Sequence, residues 1–299
     1  MKKCLFISFF LFFLIGCEDV IEVDVPTEAP RLIVDGLIRV DKELEFVPVE
    51  IKITESSNFF GEIPVSGLEN AVIQYGVPRA NAPELFEDLY FSSLAEVELG
   101  SGIYVPDPNF SSDQRIRTPM IEDGIVFILS LEHKGRRYFA RTPYVPTVPI
   151  TNLEQGEGTL FNEDDTEIIV SYTDAPDRED FYLFDFGFNN YEVTEDTFYQ
   201  GQEFKFSYFY DEDLETGREI DISILGADLT FYNYMSQLID VSRGDFNVFS
   251  TPVSTIRGNI FDVTDLDNDE IFDNVNQSNL FPLGYFAVVQ EHKASIEIE

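Results

Sequence analysis

The chain has 299 residues, of which 56 are acidic and 19 are basic, so its formal net charge at pH 7 is −37. A surface this acidic repels nucleic acid and anionic lipid headgroups, so no nucleic-acid partner is expected. The length allows one large domain or two ordinary ones.

Residues 1–16 have the layout of a secretory signal peptide. Lys2 and Lys3 precede an apolar run that ends at Ile15, which is shorter than the roughly 20 apolar residues of a membrane-spanning helix. The letters LIGC that end at Cys17 resemble the processing box of bacterial lipoproteins. The resemblance implies cleavage before Cys17, a diacylglycerol on its sulfur and acylation of the new amino group, which together anchor a protein firmly in a membrane. The alternative is an ordinary secreted protein in which Cys17 lies near a cleavage site by chance.

This interpretation accounts for both cysteines of the chain. Cys4 is lost with the signal peptide and Cys17 carries the lipid, so the mature chain has no free thiol and no disulfide. Cysteine-based zinc sites, thiol catalysis and a disulfide scaffold are thereby excluded. Residues 17–30 are acidic and contain two prolines, which predicts a short extended tether between the lipid and the body of the protein.

The first half of the body is predicted to consist of strands. Residues 32–40 and 69–76 are strand candidates, and residues 94–105 are expected to form two short strands around a Gly-Ser-Gly turn. Residues 45–54 alternate between apolar and polar side chains, which is typical of a strand with one buried face. The apolar face of this segment consists of Val47, Val49, Ile51 and Ile53.

A hairpin is predicted over residues 124–142, where two apolar runs flank a turn from Glu132 to Gly135. Residues 143–150 follow with three prolines and are not expected to form a central strand, because proline cannot donate to a sheet ladder. We therefore place a domain boundary here, between a first domain at 31–146 and a second domain at 150–299.

The second half is predicted to be rich in aromatic strands. They are expected at residues 167–173, 180–188, 203–210 and 218–226. Residues 227–244 predict a helix near 228–242, with Asp228 as its N-cap and Gly244 at its end. Its apolar positions at helical spacing are Leu229, Tyr232, Met235, Leu238 and Ile239. Residues 283–299 are predicted to close the chain as a hairpin.

The predicted fold class is mainly β, with two β domains. The N-terminal domain resembles an immunoglobulin-like sandwich, because short strands recur at regular spacing with turn signals between them. The C-terminal domain is predicted to be an aromatic-rich β domain with one helix.

An ordered set of stretches carries a family resemblance. The stretches are residues 16–26, 30–38, 138–150, 231–238, 256–265 and 283–289. Their order and spacing resemble an uncharacterised lipoprotein family of Bacteroidota, domain of unknown function four-two-four-nine. The resemblance implies an outer-membrane lipoprotein of a kind often encoded beside TonB-dependent transporters. No catalytic residues are established for that family, so only the lipid site carries over, onto Cys17.

The residues that follow Cys17 carry a further implication of the resemblance. In this phylum, acidic residues directly after the lipidated cysteine resemble an export tag that sends lipoproteins to the outer face of the membrane. Glu18 and Asp19 stand at those positions. The alternative is that they belong only to the acidic tether.

Residues that could support catalysis are scarce. His133 and His292 each precede a lysine and are expected in exposed hairpin turns. The sequence contains no GxSxG elbow, no HExxH helix and no phosphate-binding glycine loop followed by lysine. Paired carboxylates for glycoside hydrolysis stay open, because 56 acidic residues allow many chance pairs.

One acidic stretch, residues 262–274, contains a candidate calcium site and is the only cofactor site expected. Its aspartates match positions one, three, five and nine of a calcium loop: Asp265, Asp267, Asp269 and Asp273. The match is incomplete, because Glu270 replaces the usual glycine at position six and Asn276 replaces the glutamate at position twelve. The alternative is a solvated acidic loop between two strands.

The sequence favours a non-enzymatic function. The leading hypothesis is a surface-exposed outer-membrane lipoprotein that is an accessory or binding component of a TonB-dependent transporter or surface complex. The alternative is direct binding of a glycan or peptide, which an exposed aromatic groove in the second domain would favour. The absence of tryptophan counts against glycan binding, whereas Tyr199, Tyr208 and Tyr210 keep it possible. The third hypothesis is a carboxylate-based hydrolase.

Overall fold

The protein is mainly β, as the sequence predicts. The structure is a computed structural model that describes residues 30–56, 62–160, 165–210, 214–243, 255–264 and 281–299. Within these ranges the chain forms sixteen strands and one α-helix. No helix in the described part of the chain is long and apolar enough to cross a membrane.

The strands of the first half and a short 3-10 helix come first along the chain. Their bounds are β1 (Leu32–Val40), β2 (Ile51–Ser56), β3 (Glu62–Pro64), β4 (Asn70–Arg79), β5 (Ala82–Glu96), β6 (Ile103–Pro106), the 3-10 helix (Thr118–Met120), β7 (Val126–His133) and β8 (Arg136–Val145). The second half contains β9 (Ile150–Gln155), β10 (Thr166–Thr173), β11 (Phe181–Asp185), β12 (Tyr191–Glu195), β13 (Glu203–Tyr210), β14 (Glu219–Ala227), helix α1 (Leu229–Ser242), β15 (Ile260–Asp262) and β16 (Leu283–Glu297).

Eight strands pair into a closed ring around the largest hydrophobic core. The order around the ring is β1-β2-β6-β5-β4-β7-β8-β16. The last strand closes the ring, because β16 runs parallel to β1 and is also parallel to β8 at Val288 and Val289. Fully buried side chains that fill the ring include Val34, Ile51, Ile53, Ile73, Phe127 and Phe286.

Several predictions for the first half are confirmed. Strand β1 has the predicted bounds, and all four apolar side chains between Val47 and Ile53 are buried. The strand predicted over residues 45–54 begins only at Ile51, as β2. The predicted hairpin is formed by β7 and β8. Its loop consists of Lys134 and Gly135, which both have positive φ, at 52° and 70°. Two such residues give a loop whose twist matches that of the flanking strands.

Residues 143–150 were not expected to form a central strand, and this prediction is wrong for residues 143–145. Strand β8 continues through Pro143, which lies opposite Val126, and ends at Val145. Proline is tolerated because the next residue supplies the ladder bond, with the Tyr144 N–H donating to the Ile125 carbonyl at 2.8 Å. On its other side β8 pairs with β15 before Pro143 and with β16 after it, so no partner there needs an N–H from Pro143.

The predicted terminal hairpin is also wrong. Residues Leu283–Glu297 form one 15-residue strand, because both halves of it find partners far away in sequence. The first part pairs with β1, and the second part pairs antiparallel with β14 from Glu291 to Glu297. The predicted division between 31–146 and 150–299 is not confirmed, since β16 completes the ring of the first half and also belongs to the second.

The second half contains an aromatic core between two sheets. The three-stranded sheet β13-β10-β9 faces the end of the large sheet formed by β12, β11, β14 and β16. The buried rings between them include Tyr172, Tyr182, Phe184 and Phe186. A smaller hydrophobic cluster joins α1 to β11, β14 and β16.

The predicted helix is confirmed, and its N-cap is correct. The Asp228 carboxylate accepts a hydrogen bond from the Phe231 N–H at 2.7 Å. The expected apolar face is partly wrong, because Leu229 and Leu238 are exposed. The buried side chains of the helix are Phe231, Met235 and Ile239. Gly244, the predicted end, lies outside the described residues.

Candidate functional site

An aromatic groove of about 360 Å³ lies between β12 and β13 in the second half. The two sheets of this half leave the groove open where their outermost strands face each other. Its lining residues are Phe184, Glu192, Val193, Thr194, Phe204, Phe206, Ser207 and Tyr208. A concave, mostly apolar surface with a few polar groups is the usual form of a ligand site.

The side chains of β13 alternate between two faces, and the aromatic residues of one face line the groove. Phe204, Phe206 and Tyr208 point toward the core because successive side chains of a strand face opposite sides. The other face of β13 is polar except for Phe209, and there Lys205 forms an ion pair with Glu154 at 2.9 Å. The sequence EFKFSYFY therefore gives one solvated face and one face that lines the groove.

The aromatic rings that β13 contributes to the groove pack against other aromatic rings of the core. Tyr208 stacks on Phe186 with centroids 3.8 Å apart, and Phe206 meets Phe184 edge-on at 5.0 Å. Such pairs add about 0.5–1.5 kcal/mol beyond the area that they bury. The groove is therefore lined by rings whose positions are fixed before any ligand binds.

Strand β12 offers backbone groups beside the groove. In an antiparallel pair, successive residues direct their backbone groups alternately toward and away from the partner. The Asp196 N–H donates to the Asp180 carbonyl at 3.1 Å, and the Phe186 N–H donates to the Asn190 carbonyl at 2.9 Å. These bonds fix the alternation, so Val193 turns its N–H and C=O away from β11. No strand in the described part of the chain pairs with that side of β12.

Three buried carboxylates lie together where β10 ends, β11 begins and β12 ends. Asp174, Asp180 and Asp196 are 2%, 4% and 3% exposed, and one oxygen of each lies within 4.8 Å of the others. The Tyr182 hydroxyl donates to Asp180 at 3.0 Å and also to Asp174. We call these four residues the Asp–Tyr cluster.

The remaining bonds of the Asp–Tyr cluster tie loops to strand ends. Asp174 accepts from the Gly201 N–H at 2.7 Å, and Asp196 accepts from the Asp180 N–H at 2.9 Å. Arg178 donates to Asp180 and forms an ion pair with it. These donors occupy carboxylate oxygens that a metal ion would otherwise use, and none of the three aspartates lines the aromatic groove.

Burial dominates the electrostatics of the Asp–Tyr cluster. It raises the pKa of Asp180 above the usual value, although the hydrogen bond and charge of Arg178 act in the opposite direction. Burial, assisted by the neighbouring carboxylates, also raises the pKa of Tyr182, so its hydroxyl stays protonated and available as a donor. The cluster is thus a satisfied polar network within an aromatic core.

A family comparison places the chain among related sequences. A family model described as Domain of unknown function (DUF4249) matches residues 18–269. The chain belongs to this family. The DUF4249 match includes β1 to β15, and hence both sides of the aromatic groove and the whole Asp–Tyr cluster. No curated protein matches the chain.

Several predicted residues of this DUF4249 chain lie outside the described ranges. They are the lipidation site Cys17 and the calcium candidates Asp265, Asp267, Asp269 and Asp273. These predictions stay predictions.

The three tyrosines that keep glycan binding possible in the sequence occupy two different environments. Tyr208 lines the groove, whereas Tyr199 and Tyr210 are buried in the aromatic core. The Tyr199 hydroxyl lies 2.8 Å from that of Tyr172, and the Tyr210 hydroxyl donates to the Phe186 carbonyl at 2.7 Å. Only Tyr208 of the three is therefore placed to touch a ligand in the groove.

The expectation that both histidines lie in exposed turns is wrong. His133 ends β7 and is buried, with Nε2 3.2 Å from Glu55 Oε1. His292 lies within β16, where Nε2 is 3.1 Å from Gln290 Nε2. Both histidines lie in strands that continue past the predicted turns, and only at His292 is the partner strand, β14, distant in sequence.

The Asp–Tyr cluster of the DUF4249 chain is not predicted by the sequence. Its aspartates lie at strand ends, where acidic residues are common and do not distinguish a cluster from an ordinary loop. A weak signal exists, since Asp180 and Tyr182 share one face of the predicted strand at residues 180–188. The partners Asp174 and Asp196 reach the same place only through the folding of two other loops.

Proposed function

We propose that the protein is a non-enzymatic binding protein, anchored to the outer membrane through a lipid at Cys17. In this role it is an accessory component of a TonB-dependent transporter or a surface complex and faces the cell exterior. The observation that carries the proposal is the aromatic groove between β12 and β13. The lipid confines the groove to the membrane plane, which raises its effective concentration near a partner.

The groove best fits a short extended peptide segment. Apolar side chains of such a segment can enter between the rings of Phe204, Phe206 and Tyr208. Its backbone can pair with the outward groups of Val193, because an extended peptide can add a strand to a free sheet edge. Both features lie side by side along one opening, which gives affinity from the main chain and selectivity from the rings.

A glycan is the second candidate ligand. Tyr208 and Phe206 present aromatic rings, while Glu192, Thr194 and Ser207 supply polar groups at the same groove. Glu192 already pairs with Arg243, which reduces its capacity to bind sugar hydroxyls. We therefore rank the peptide first.

A non-enzymatic role is supported by the burial and the hydrogen bonds of the three clustered aspartates. Glycoside hydrolysis needs two carboxyl groups about 5–9.5 Å apart on either side of a substrate. Asp174, Asp180 and Asp196 are buried and bonded to Tyr182, Arg178 and backbone N–H groups. They brace strand ends and leave no opening for a substrate between them.

We predict that Cys17→Ala moves the protein from the membrane fraction to the soluble fraction. Cys17 is the only cysteine near the end of the signal-peptide run, so its replacement removes the acceptor for the lipid. Fractionation of cells with immunoblotting, and mass spectrometry of the N-terminal peptide, measure the change. Cys4→Ala is the matched control and should stay in the membrane fraction. Equal membrane retention of Cys17→Ala would overturn lipid anchoring.

We also predict that Phe206→Ala weakens ligand binding by about tenfold or more, since buried aromatic anchors contribute about 2 kcal/mol to binding. Titration of the isolated mature protein with peptide and glycan libraries measures this change. The accessory role is tested separately, by purifying the native lipoprotein from detergent-solubilised outer membranes and searching by mass spectrometry for a stoichiometric transporter. Phe198→Ala is the control, because Phe198 is exposed and outside the groove.

The outcomes separate the candidates. Loss of peptide binding in Phe206→Ala, with binding kept in Phe198→Ala, supports the peptide. Glycan binding with the same dependence replaces the peptide by the second candidate. Binding that survives in Phe206→Ala with an unchanged thermal midpoint rules out the groove as the site.

A further inference from the structure

Strand β5 has an apolar edge that no other described strand covers, far in sequence from the aromatic groove. On one side β5 pairs with β4, but on the other side β6 reaches only Leu94–Glu96. The segment from Ala82 to Phe91 therefore has no strand on that side within the described structure, although the Pro83 carbonyl accepts a hydrogen bond from Arg141 at 3.2 Å. Its exposed apolar side chains are Leu85, Leu89, Tyr90 and Phe91, and Phe91 is 56% exposed. We call this segment the β5 edge.

The β5 edge directs backbone groups to solvent at Leu89 and Phe91. The Ser93 N–H donates to the Gln114 side chain at 2.7 Å, and the Ser93 carbonyl accepts from the Asp107 N–H at 2.8 Å. These bonds show that Ser93 faces away from β4. Alternate residues of an antiparallel strand share this direction, so Phe91 and Leu89 also face away from β4. Among the described residues, the edge is covered from Ser93 onward and is open before that residue.

The β5 edge is held in place by the strand behind it. Tyr90 stacks on Tyr75 at 5.4 Å between ring centroids, and Tyr75 stacks on Phe127 of the core at the same distance. Gly76 allows the Asp88 carbonyl to approach so closely that a Cβ at Gly76 would lie 2.0 Å from it. The exposed segment is therefore a fixed strand with its backbone already extended.

We propose that the β5 edge docks an extended segment of a partner protein that carries apolar and basic side chains. Proteins normally cover or charge a long, exposed apolar edge, and this edge carries charges of one sign only, at Glu84, Glu87 and Asp88. Exposed apolar patches mark interaction sites. The partner strand would pair with the backbone of Leu89 and Phe91 and pack on their side chains. The β5 edge is separate from the aromatic groove. It would provide the docking surface that an accessory role requires.

Charge defines the chemistry of the partner. Glu84, Glu87 and Asp88 lie within the β5 edge, and Lys or Arg on a partner strand would face them. A second copy of this chain fits badly, because self-pairing would bring the same acidic residues together and each chain carries a formal net charge of −37. Anionic lipid headgroups are repelled for the same reason.

The proposal is tested with two synthetic peptides and the whole mature chain. One peptide alternates Val and Lys over roughly eight residues, the length of a common strand, and the other alternates Val and Glu. Hydrogen exchange with and without peptide should show slower exchange of the Leu89 and Phe91 amides with the Lys peptide only. Anisotropy titration should show at least about tenfold weaker binding of that peptide to Phe91→Lys and Leu89→Lys.

Leu99→Lys is the matched control, because Leu99 is 91% exposed outside the β5 edge and takes the same charge change. Its affinity for the Lys peptide should match that of the unchanged protein, and thermal midpoints verify that all variants are folded. Equal weakening in Leu99→Lys would show general charge attraction and overturn the proposal. Protection at other amides, or self-association that Phe91→Lys abolishes in sedimentation, would also overturn it.

Discussion

Replacing Tyr182 by Phe should lower the free energy of unfolding by about 3 kcal/mol. The hydroxyl donates to Asp174 and Asp180, and a hydrogen bond to a charged group contributes roughly 1.5–3 kcal/mol. Its loss leaves two buried carboxylates with one donor fewer, while the ring itself is kept. Urea unfolding at pH 7, followed by far-UV circular dichroism, measures the change.

Tyr90→Phe is the matched control for this substitution. It removes the same hydroxyl from a ring that stacks on Tyr75 but is 42% exposed, so the free energy of unfolding should change by less than about 0.5 kcal/mol. A loss in Tyr182→Phe as small as in this control would mean that the Asp–Tyr cluster does not depend on the hydroxyl. Arg178 and the backbone N–H groups would then be sufficient to hold the carboxylates.

The distinction bears on function, because buried carboxylates are also a common starting point for catalysis. A cluster built for stability loses folding free energy when one donor is removed. A cluster built for catalysis or metal binding often carries unfavourable charge, so the same change is nearly neutral or stabilising. The sign and size of the Tyr182→Phe effect therefore test the structural interpretation of the cluster directly.

Local patterns in the sequence predicted the individual elements well. Strand β1, the β7–β8 hairpin and the N-cap at Asp228 follow from periodicity, turn chemistry and capping within about ten residues. Each of these signals depends on neighbours along the chain. They can be recognised without knowledge of tertiary contacts, which is why one sequence is sufficient to find them.

Long-range pairing limited the prediction at β16. The segment LGYFAVVQEHKASIEIE has two apolar or alternating parts joined by polar residues, which locally resembles a hairpin. Its partners β1 and β14 lie 250 and about 70 residues away, and they supply ladders on both parts. No local signal distinguishes a bend at Gln290 from a continuous strand, so the ring closure was not predictable from this sequence alone.

For the candidate site, the sequence predicted the kind of residues that line it but not that they form a groove. The aromatic residues of β13 and their alternation were visible, and Tyr208 was named. The groove itself depends on β12 and β13 ending two different sheets, which is a property of topology. The exposed part of β5 was missed for the same reason, because exposure depends on which neighbouring strand stops short.

Replacing Phe286 by Ala should lower the free energy of unfolding by about 3–5 kcal/mol, the range for a buried Phe in a core that cannot collapse. Phe286 is fully buried, and its backbone is held by Asn259, which accepts from the Phe286 N–H at 2.9 Å and donates to its carbonyl at 2.7 Å. These bonds keep β16 in place, so the cavity stays open. Phe198→Ala is the control, because Phe198 is 89% exposed and its loss should be nearly neutral.

The effect of Phe286→Ala should extend to the second half, because β16 also pairs with β14 there. Hydrogen exchange under native conditions should show faster exchange at buried amides of the ring, such as Ile73, and of the aromatic core, such as Val170. The two increases should be similar if β16 makes the halves unfold together. Faster exchange confined to the ring would show that the halves unfold separately, which would support the domain division that the prolines at 143–150 predict.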